Sequence, residues 1–316
     1  MGTRFASIGA QPEASEAVRR ALEGRELDWR SRLFEAFLIL SLIISFFFLV
    51  WLLLDILMGS LPVWQSRGVV DFLTTPLASN PEKAGVSQGL FGSIVMMVLV
   101  SLIALPAGIA AAVYLEEYAP DNQLSRSLNT IIRNLAGVPA VVYGILGLSF
   151  FVLVLGNVTG GRTVISGGLT LAVLVLPITI IVTAESLRAV PASIREAGFG
   201  VGATRWEVIR SHVLPYAAPG ILTGVILTLA RAFGETAPLL LVGAAATGFA
   251  QPASATIVDR LVGPYTSLPT IIYSWSRQPN PAFQDLTSAA ILVLVVVILI
   301  VNALAIILRN RYARRW

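Results

Sequence analysis

The 316-residue chain has no cysteine, one histidine (His212), one lysine (Lys83) and only 13% charged residues. Each shortage excludes something. Without thiols there is no disulfide framework and no thiolate chemistry. One histidine does not build a zinc site, which takes three or four ligands, so no metal is expected. Soluble domains average about 25% charged residues; here apolar residues have taken their place, at 56% of the chain. The formal charge of +4 is then read first against membrane topology, and no nucleic-acid partner is expected. A cleavable signal peptide is not expected either. Residues 1–32 are polar, and the apolar run behind them is too long for an h-region and lacks a small-residue cleavage site.

What is present is six long apolar runs, at about 33–58, 92–115, 137–155, 169–187, 218–242 and 288–308. At ~1.5 Å per residue, each covers most or all of a ~30 Å hydrocarbon core. Backbone in lipid must satisfy its own hydrogen bonds, so these are helices. The expected fold is all-α: a polytopic membrane domain of six transmembrane helices over 33–316, behind an N-terminal segment, 1–32. With the N-terminus in the cytoplasm, sixteen basic residues fall in inside segments and five in outside loops, which places both termini in the cytoplasm. Residues 13–27 read first as a solvated helix before the first span, and otherwise as a segment lying on the membrane surface or on a partner. The long outer loop 243–285 carries Tyr265, Tyr273 and Trp275, expected at the membrane interface or against an external partner.

Two charges fall inside the fifth run, Arg231 and Glu235 in ARAFGETAP. At mid-span each costs a few kcal/mol even on the mildest insertion scale, about 2.5–3.5. On one continuous helix, Gly224, Thr228, Arg231 and Glu235 form a single stripe. A polar stripe on an apolar helix faces the bundle interior or a water-filled path. Two roles fit: Arg231 and Glu235 fix helix packing, or Arg231 offers its planar fork to a passing oxyanion while Glu235 holds it and keeps binding loose. Gly137, Pro139 and Tyr143 read as a helix break at the start of the third run, either a gate or a simple kink. Asp55 reads as an interfacial residue near the outer end of the first span. Arg133 is placed to meet Glu116 or Glu117.

Between the fourth and fifth runs lies VPASIREAGFGVGATRWEVIRSHVLPYAAP. From Ser193 as cap, Ile194, Ala197, Val201, Val208 and Ile209 give an apolar stripe, with a turn at Gly202. This segment resembles the EAA loop of binding-protein-dependent ABC importers, through Glu196, Ala197, Gly202, Leu214 and Pro215. It departs from that pattern at Gly198, where the second alanine stands, and at His212, where isoleucine stands. The resemblance implies a coupling loop over 190–215, with Arg205 among its coupling residues, seated in a groove of an ATP-binding subunit.

Further strings, IRNLAGVPAVVYGILGL, PGILTGVILTLARAFGETAPLL and the closing LRNRYARRW, resemble the PstA-type permease of the phosphate-specific importer. That likeness implies the type I (MetI-like) importer fold and one half of a path for inorganic phosphate in the bacterial inner membrane. It implies as partners a homologous PstC-type permease, a dimer of ATP-binding subunits and an extracytoplasmic phosphate-binding protein. The path residues would be Arg231, Glu235 and Thr228. A Walker A loop needs G-x-x-x-x-G-K-[ST], and the sole lysine, Lys83, is followed by Ala84. The chain is thus expected not to be an enzyme and to hold no cofactor, ATP and Mg being bound by the partner. Two other classes stay open on residues alone: an ion-coupled transporter or channel for an oxyanion, and a membrane enzyme acting on lipid phosphates.

Overall fold

The structure is a computed structural model that describes residues 29–244 and 256–313. The segment 13–27 lies outside the described residues. Contacts divide the chain into two units, Met1–Asp55 and Ile56–Trp316. Helix α1, Trp29–Ser66, runs across that boundary. Asp55 is followed by eleven further helical residues, Ile56–Ser66, so the helix continues past the expected end of the span. Every described residue from Trp29 to Asp55 is exposed. This is an apolar surface that a bilayer or a neighbouring subunit has to cover.

The second unit is helical throughout its described residues. After α1 come α2 (Gly68–Thr74), α3 (Ser87–Val113), α4 (Gln123–Ala136), α5 (Ala140–Gly147), the short α6 (Gly156–Thr159) and α7 (Val164–Arg188). Then follow α8 (Ala192–Gly200), α9 (Arg205–Val208), α10 (Leu214–Gly234), α11 (Ala237–Val242), α12 (Ile257–Val262), α13 (Leu268–Trp275) and α14 (Ala282–Ala313). Wider π-helical turns extend α3 through Tyr114–Tyr118 and α5 through Leu148–Val154, and join α9 to α10 through Ile209–Val213. Starts are marked by side chains that accept the free N–H groups of a first turn. Asn122 caps α4 and Thr163 caps α7, while Thr204 with Glu207 and Ser267 with Thr270 form capping boxes on α9 and α13.

Among the described residues five helices are long and apolar enough to cross a membrane, and α4 with α5 makes a sixth only as a pair bent by 99°. The third expected span, 137–155, corresponds to the second half of that pair, Ala140–Val154. Its other half, α4, carries Leu124, Leu128, Ile131 and Leu135 on one exposed face. The fifth expected span, 218–242, is not continuous. The helix stops at Gly234 and restarts at Ala237. The remaining helices, Trp29–Ser66, Ser87–Tyr118, Val164–Arg188 and Ala282–Ala313, are longer than the apolar runs they contain.

The helices meet where side chains are small. A Cβ on Gly108 of α3 would stand 2.6 Å from Thr179 Cγ2, and one on Gly147 of α5 would stand 2.2 Å from Thr170 Oγ1. Gly220 and Gly224 of α10 press on Ser186 and Val182 in the same way. Such close approach is how helices associate in lipid, where the hydrophobic effect no longer drives them together. At one end of the unit a second core gathers Phe72, Trp275 and Phe283, with Trp64 edge-on to Phe72 at 5.4 Å between ring centroids. Trp275 is 1% and Tyr265 3% exposed. Both are therefore core residues and not an interfacial belt; only Tyr273 stays exposed.

Gly147→Val is expected to destabilise the chain by about 1–3 kcal/mol through overpacking against Thr170. Gly200→Ala, with nothing within 4 Å of the added carbon, is expected to be neutral. Thermal unfolding in detergent, followed by size-exclusion fluorescence, reads both. Equal melting temperatures for the two variants would refute the close contact.

Candidate translocation site and coupling loop

Arg231 sits on the last turn of α10, and Glu235 is the first residue past its end, with extended backbone (ψ 117°). The expected four-residue helical stripe is thus cut at Glu235. Pro238, in the first turn of α11, lacks the N–H a continuing helix would use, so a break just before it is natural. The break leaves the pair facing one another: Arg231 Nε lies 3.3 Å from Glu235 Oε1, with side chains 56% and 18% exposed. The other stripe members are spent on packing. Thr228 is 1% exposed and donates to its own helix at Gly224 O, 2.9 Å away. Gly224 rests on Val182. Thr228 is therefore placed against the bundle and not beside Arg231 in open space.

Depth follows from packing. Gly220 meets Ser186 and Gly224 meets Val182, so α10 and α7 are antiparallel. Continuing that register, Arg231 comes level with about residue 175 of α7, close to the middle of Val164–Arg188. Its neighbours Ala232 and Phe233 line a small apolar cavity with Leu171, Val100 and Met96. A guanidinium more than half exposed thus stands near half-depth of a membrane bundle.

The break at the start of the third expected span is where residues 137–139 separate α4 from α5. Pro139 caps α5 with extended backbone, and Gly137 ends α4. Tyr143 is buried and donates from its hydroxyl to Leu135 O across the bend at 2.8 Å. Gly144, one residue on, lies against Pro238, where an added Cβ would come 2.7 Å from Pro238 Cα. The two broken segments therefore touch each other, a contact no sequence spacing revealed.

The 190–215 segment folds as α8, a turn and α9. Its cap is Pro191 and not Ser193. Gly202 has φ +84°, a left-handed conformation that glycine adopts freely, and it makes the turn between the two helices. Val208 and Ile209 of the expected stripe are 1% exposed, whereas Val201 is 84% exposed. Glu196, Ala197, Gly202 and Arg205 are all on the exposed side, with Leu214 and Pro215 half-buried. Phe199 and Trp206, about half exposed, join that face. Neither was singled out from sequence, although two aromatics in an otherwise polar loop are an available signal for a docking surface.

The departure from alanine at residue 198 has a packing reason: Gly198 is buried, and a Cβ there would stand 2.7 Å from Val208 Cγ2. Past Val208 the chain continues through the π-helical turn into α10. That turn accommodates Pro215, which offers no N–H to the preceding turn. His212 lies exposed in it. Arg133 does not meet Glu116 or Glu117: Glu116 pairs with Arg188, and Glu117 with Arg195.

A helical membrane bundle with broken inner segments, a charged pair at half-depth and an exposed amphipathic loop running into the charged helix defines a transport permease. The chain belongs to the family described as the binding-protein-dependent transport system inner membrane component, which matches residues 104–316. It is 33% identical over 241 residues to a probable ABC transporter permease, YqgI of Bacillus subtilis, covering 74% of this chain and 81% of that one. It is 34% identical over 244 residues to the phosphate transport system permease protein PstA of Xylella fastidiosa, covering 77% and 81%. With PstA 1 of Mycobacterium tuberculosis it shares 33% over 282 residues, 88% of each.

Among solved structures, it superposes on a bacterial ABC transporter involved in alginate import with TM-score 0.62 at 16% identity, covering 92% of this chain and 99% of that one. On the inward-facing methionine transporter MetNI the TM-score is 0.54 at 18% identity, covering 72% and 94%. The fold is that of ABC importer permeases.

If Gly198 is glycine because Val208 fills its space, Gly198→Ala is expected to destabilise the loop by about 1 kcal/mol and Val208→Ala to relieve that cost in the double variant. A double-mutant cycle on melting temperature measures the coupling. Strictly additive shifts would rule the contact out.

Proposed function

We propose that this chain is the PstA-type half of an ATP-driven importer of inorganic phosphate, and that Arg231, steadied by Glu235, lines its path. The carrying observation is the Arg231 guanidinium: near half-depth and more than half exposed, it is at a position where lipid contact costs several kcal/mol. A second permease and the water-filled path between the two halves remove that cost. The planar fork of arginine matches the oxygens of a phosphate. The Glu235 carboxylate, 3.3 Å away, competes for the same fork and keeps the anion from lodging, as a conduit requires. The relatives named as phosphate transport permeases support this substrate.

The partners follow from the same reading. A PstC-type permease completes the path, an external phosphate-binding protein delivers the anion, and both termini lie in the cytoplasm of a bacterial inner membrane. A dimer of ATP-binding subunits holds ATP and Mg and receives the face of Glu196, Phe199 and Trp206. The rigid run from Arg205 to Gly234, a single membrane-crossing helix, then joins that face to Arg231. The Gly137–Pro139 break, touching Pro238 through Gly144, is placed to move with it as a gate.

Arg231→Gln is expected to lower phosphate uptake in proteoliposomes roughly 10- to 100-fold, the worth of one or two hydrogen bonds to a charged group. Subunit assembly and ATPase association should persist. Arg231→Lys, keeping the charge and losing the fork, should fall between. Normal uptake by Arg231→Gln would remove Arg231 from the path.

A further inference from the structure

The π-helical turn Tyr114–Tyr118 at the end of α3 presents three consecutive side chains to three different arginines. Glu116 takes Arg188 at the end of α7, with Arg188 Nε donating to Oε2 at 2.9 Å. Glu117 takes Arg195 of α8. The ring of Tyr118 lies under Arg205 of α9, 5.1 Å from the guanidinium carbon. The three successive side chains thus fan out from one helix end toward α7, α8 and α9.

Of the three contacts, the central one is the most enclosed. The Glu117 side chain is 8% exposed and that of Arg195 24%, against 15% and 45% for Glu116 and Arg188. Arg195 Nη2 donates to Glu117 Oε1 at 2.6 Å, and Nε lies 3.3 Å from both carboxylate oxygens. The same guanidinium donates to Leu187 O at 3.0 Å and Val190 O at 2.9 Å. One planar group therefore ties together α3, the end of α7 and α8. Removing one partner of such a pair leaves an uncompensated buried charge, whereas exposed pairs contribute little.

We infer that Glu117 and Arg195 form a second attachment between the coupling loop and the spanning bundle, acting as positioning residues that pass the loop's movement to α3. This rests on the proposed function, in which a partner ATPase moves α8 and α9. Along the chain the loop is continuous only with α7 and α10. Without Glu117, displacement of α8 has no charged grip on α3. With it, α3, α7 and α10 are driven together, and the bundle moves as one body instead of being levered by α10 alone.

The test uses the assembled transporter in proteoliposomes, comparing wild type with Glu117→Gln, which keeps the shape and removes the charge. Expected is ATP hydrolysis within about twofold of wild type and phosphate moved per ATP lowered roughly tenfold, in the range of ordinary coupling energies. Arg195→Lys should give an intermediate ratio. An unchanged ratio in Glu117→Gln overturns the proposal. So does joint loss of hydrolysis, uptake and subunit co-purification, which would make the pair a folding contact only. Because the chain has no cysteine, a single fluorophore at Leu102→Cys, an exposed position of α3, gives a readout without substrate. Its nucleotide-dependent signal should appear in wild type and vanish in Glu117→Gln; a retained signal overturns the proposal. A wild-type complex that shows this signal and moves no phosphate would refute the substrate assignment while leaving the attachment standing.

Discussion

Close approach of backbones at glycine holds this bundle together. Lipid tails are as apolar as leucine, so burying leucine against leucine gains little in a membrane, and packing density has to do the work. Helix α7 is the common partner. It receives Gly108 of α3, Gly147 of α5 and Gly220 and Gly224 of α10, and its own Gly168 receives Leu99. Thr170 and Thr179, both fully buried on α7, donate to their own helix, so neither hydroxyl proton needs a partner on the neighbouring helices. Every functional position is located relative to this post: Arg231 through Gly224, the α4–α5 bend through Gly147, and the coupling loop through Leu187 and Val190 at its end.

That arrangement explains which features were legible in the sequence. Apolar runs of 20 or more residues announce spanning helices by length alone, and the EAA-type spacing announces the loop, because both are local. The α4–α5 bend was half legible: Gly137 and Pro139 marked it, but the helical character of α4, with its apolar face at Leu124, Leu128, Ile131 and Leu135, was absorbed into a loop. The end of α10 at Gly234 was not legible from hydropathy, since ARAFGETAP reads as apolar on both sides of the break. Pro238 was the available signal, as a helix tends to stop shortly before a residue without an N–H.

Charge pairing was the least legible layer. Arg133 lies nearer than Arg188 or Arg195 to Glu116 and Glu117 along the chain, and sequence distance favoured it. The structure chooses the partners 72 and 78 residues away, because α3 and α7 run parallel and end side by side. Parallel neighbours are by necessity far apart in sequence, so ion pairs at their common end are invisible to local reading. The burial of Trp275 and Tyr265 has the same origin: Trp275 packs on Phe72 some 200 residues away, and Tyr265 lies against Gly167 of α7, about 100 residues away.

The geometry of the charged helix also sets how far a movement at the loop carries. From Leu214 to Arg231 the helix is about 26 Å long at ~1.5 Å per residue. It rests on α7 at Gly220 and Gly224, about midway along, and stays packed up to Ala232 and Phe233, both buried, before the backbone leaves the helix at Gly234. Arg231 lies seven residues past Gly224, about 10 Å at ~1.5 Å per residue, so a tilt of about 10° around that contact shifts it by roughly 2 Å. Since Glu235 lies beyond the break, on the segment that packs through Pro238 against Gly144 of α5, it does not have to follow. The break therefore places Arg231 and Glu235 on two separate segments, where an unbroken helix would carry both on one face.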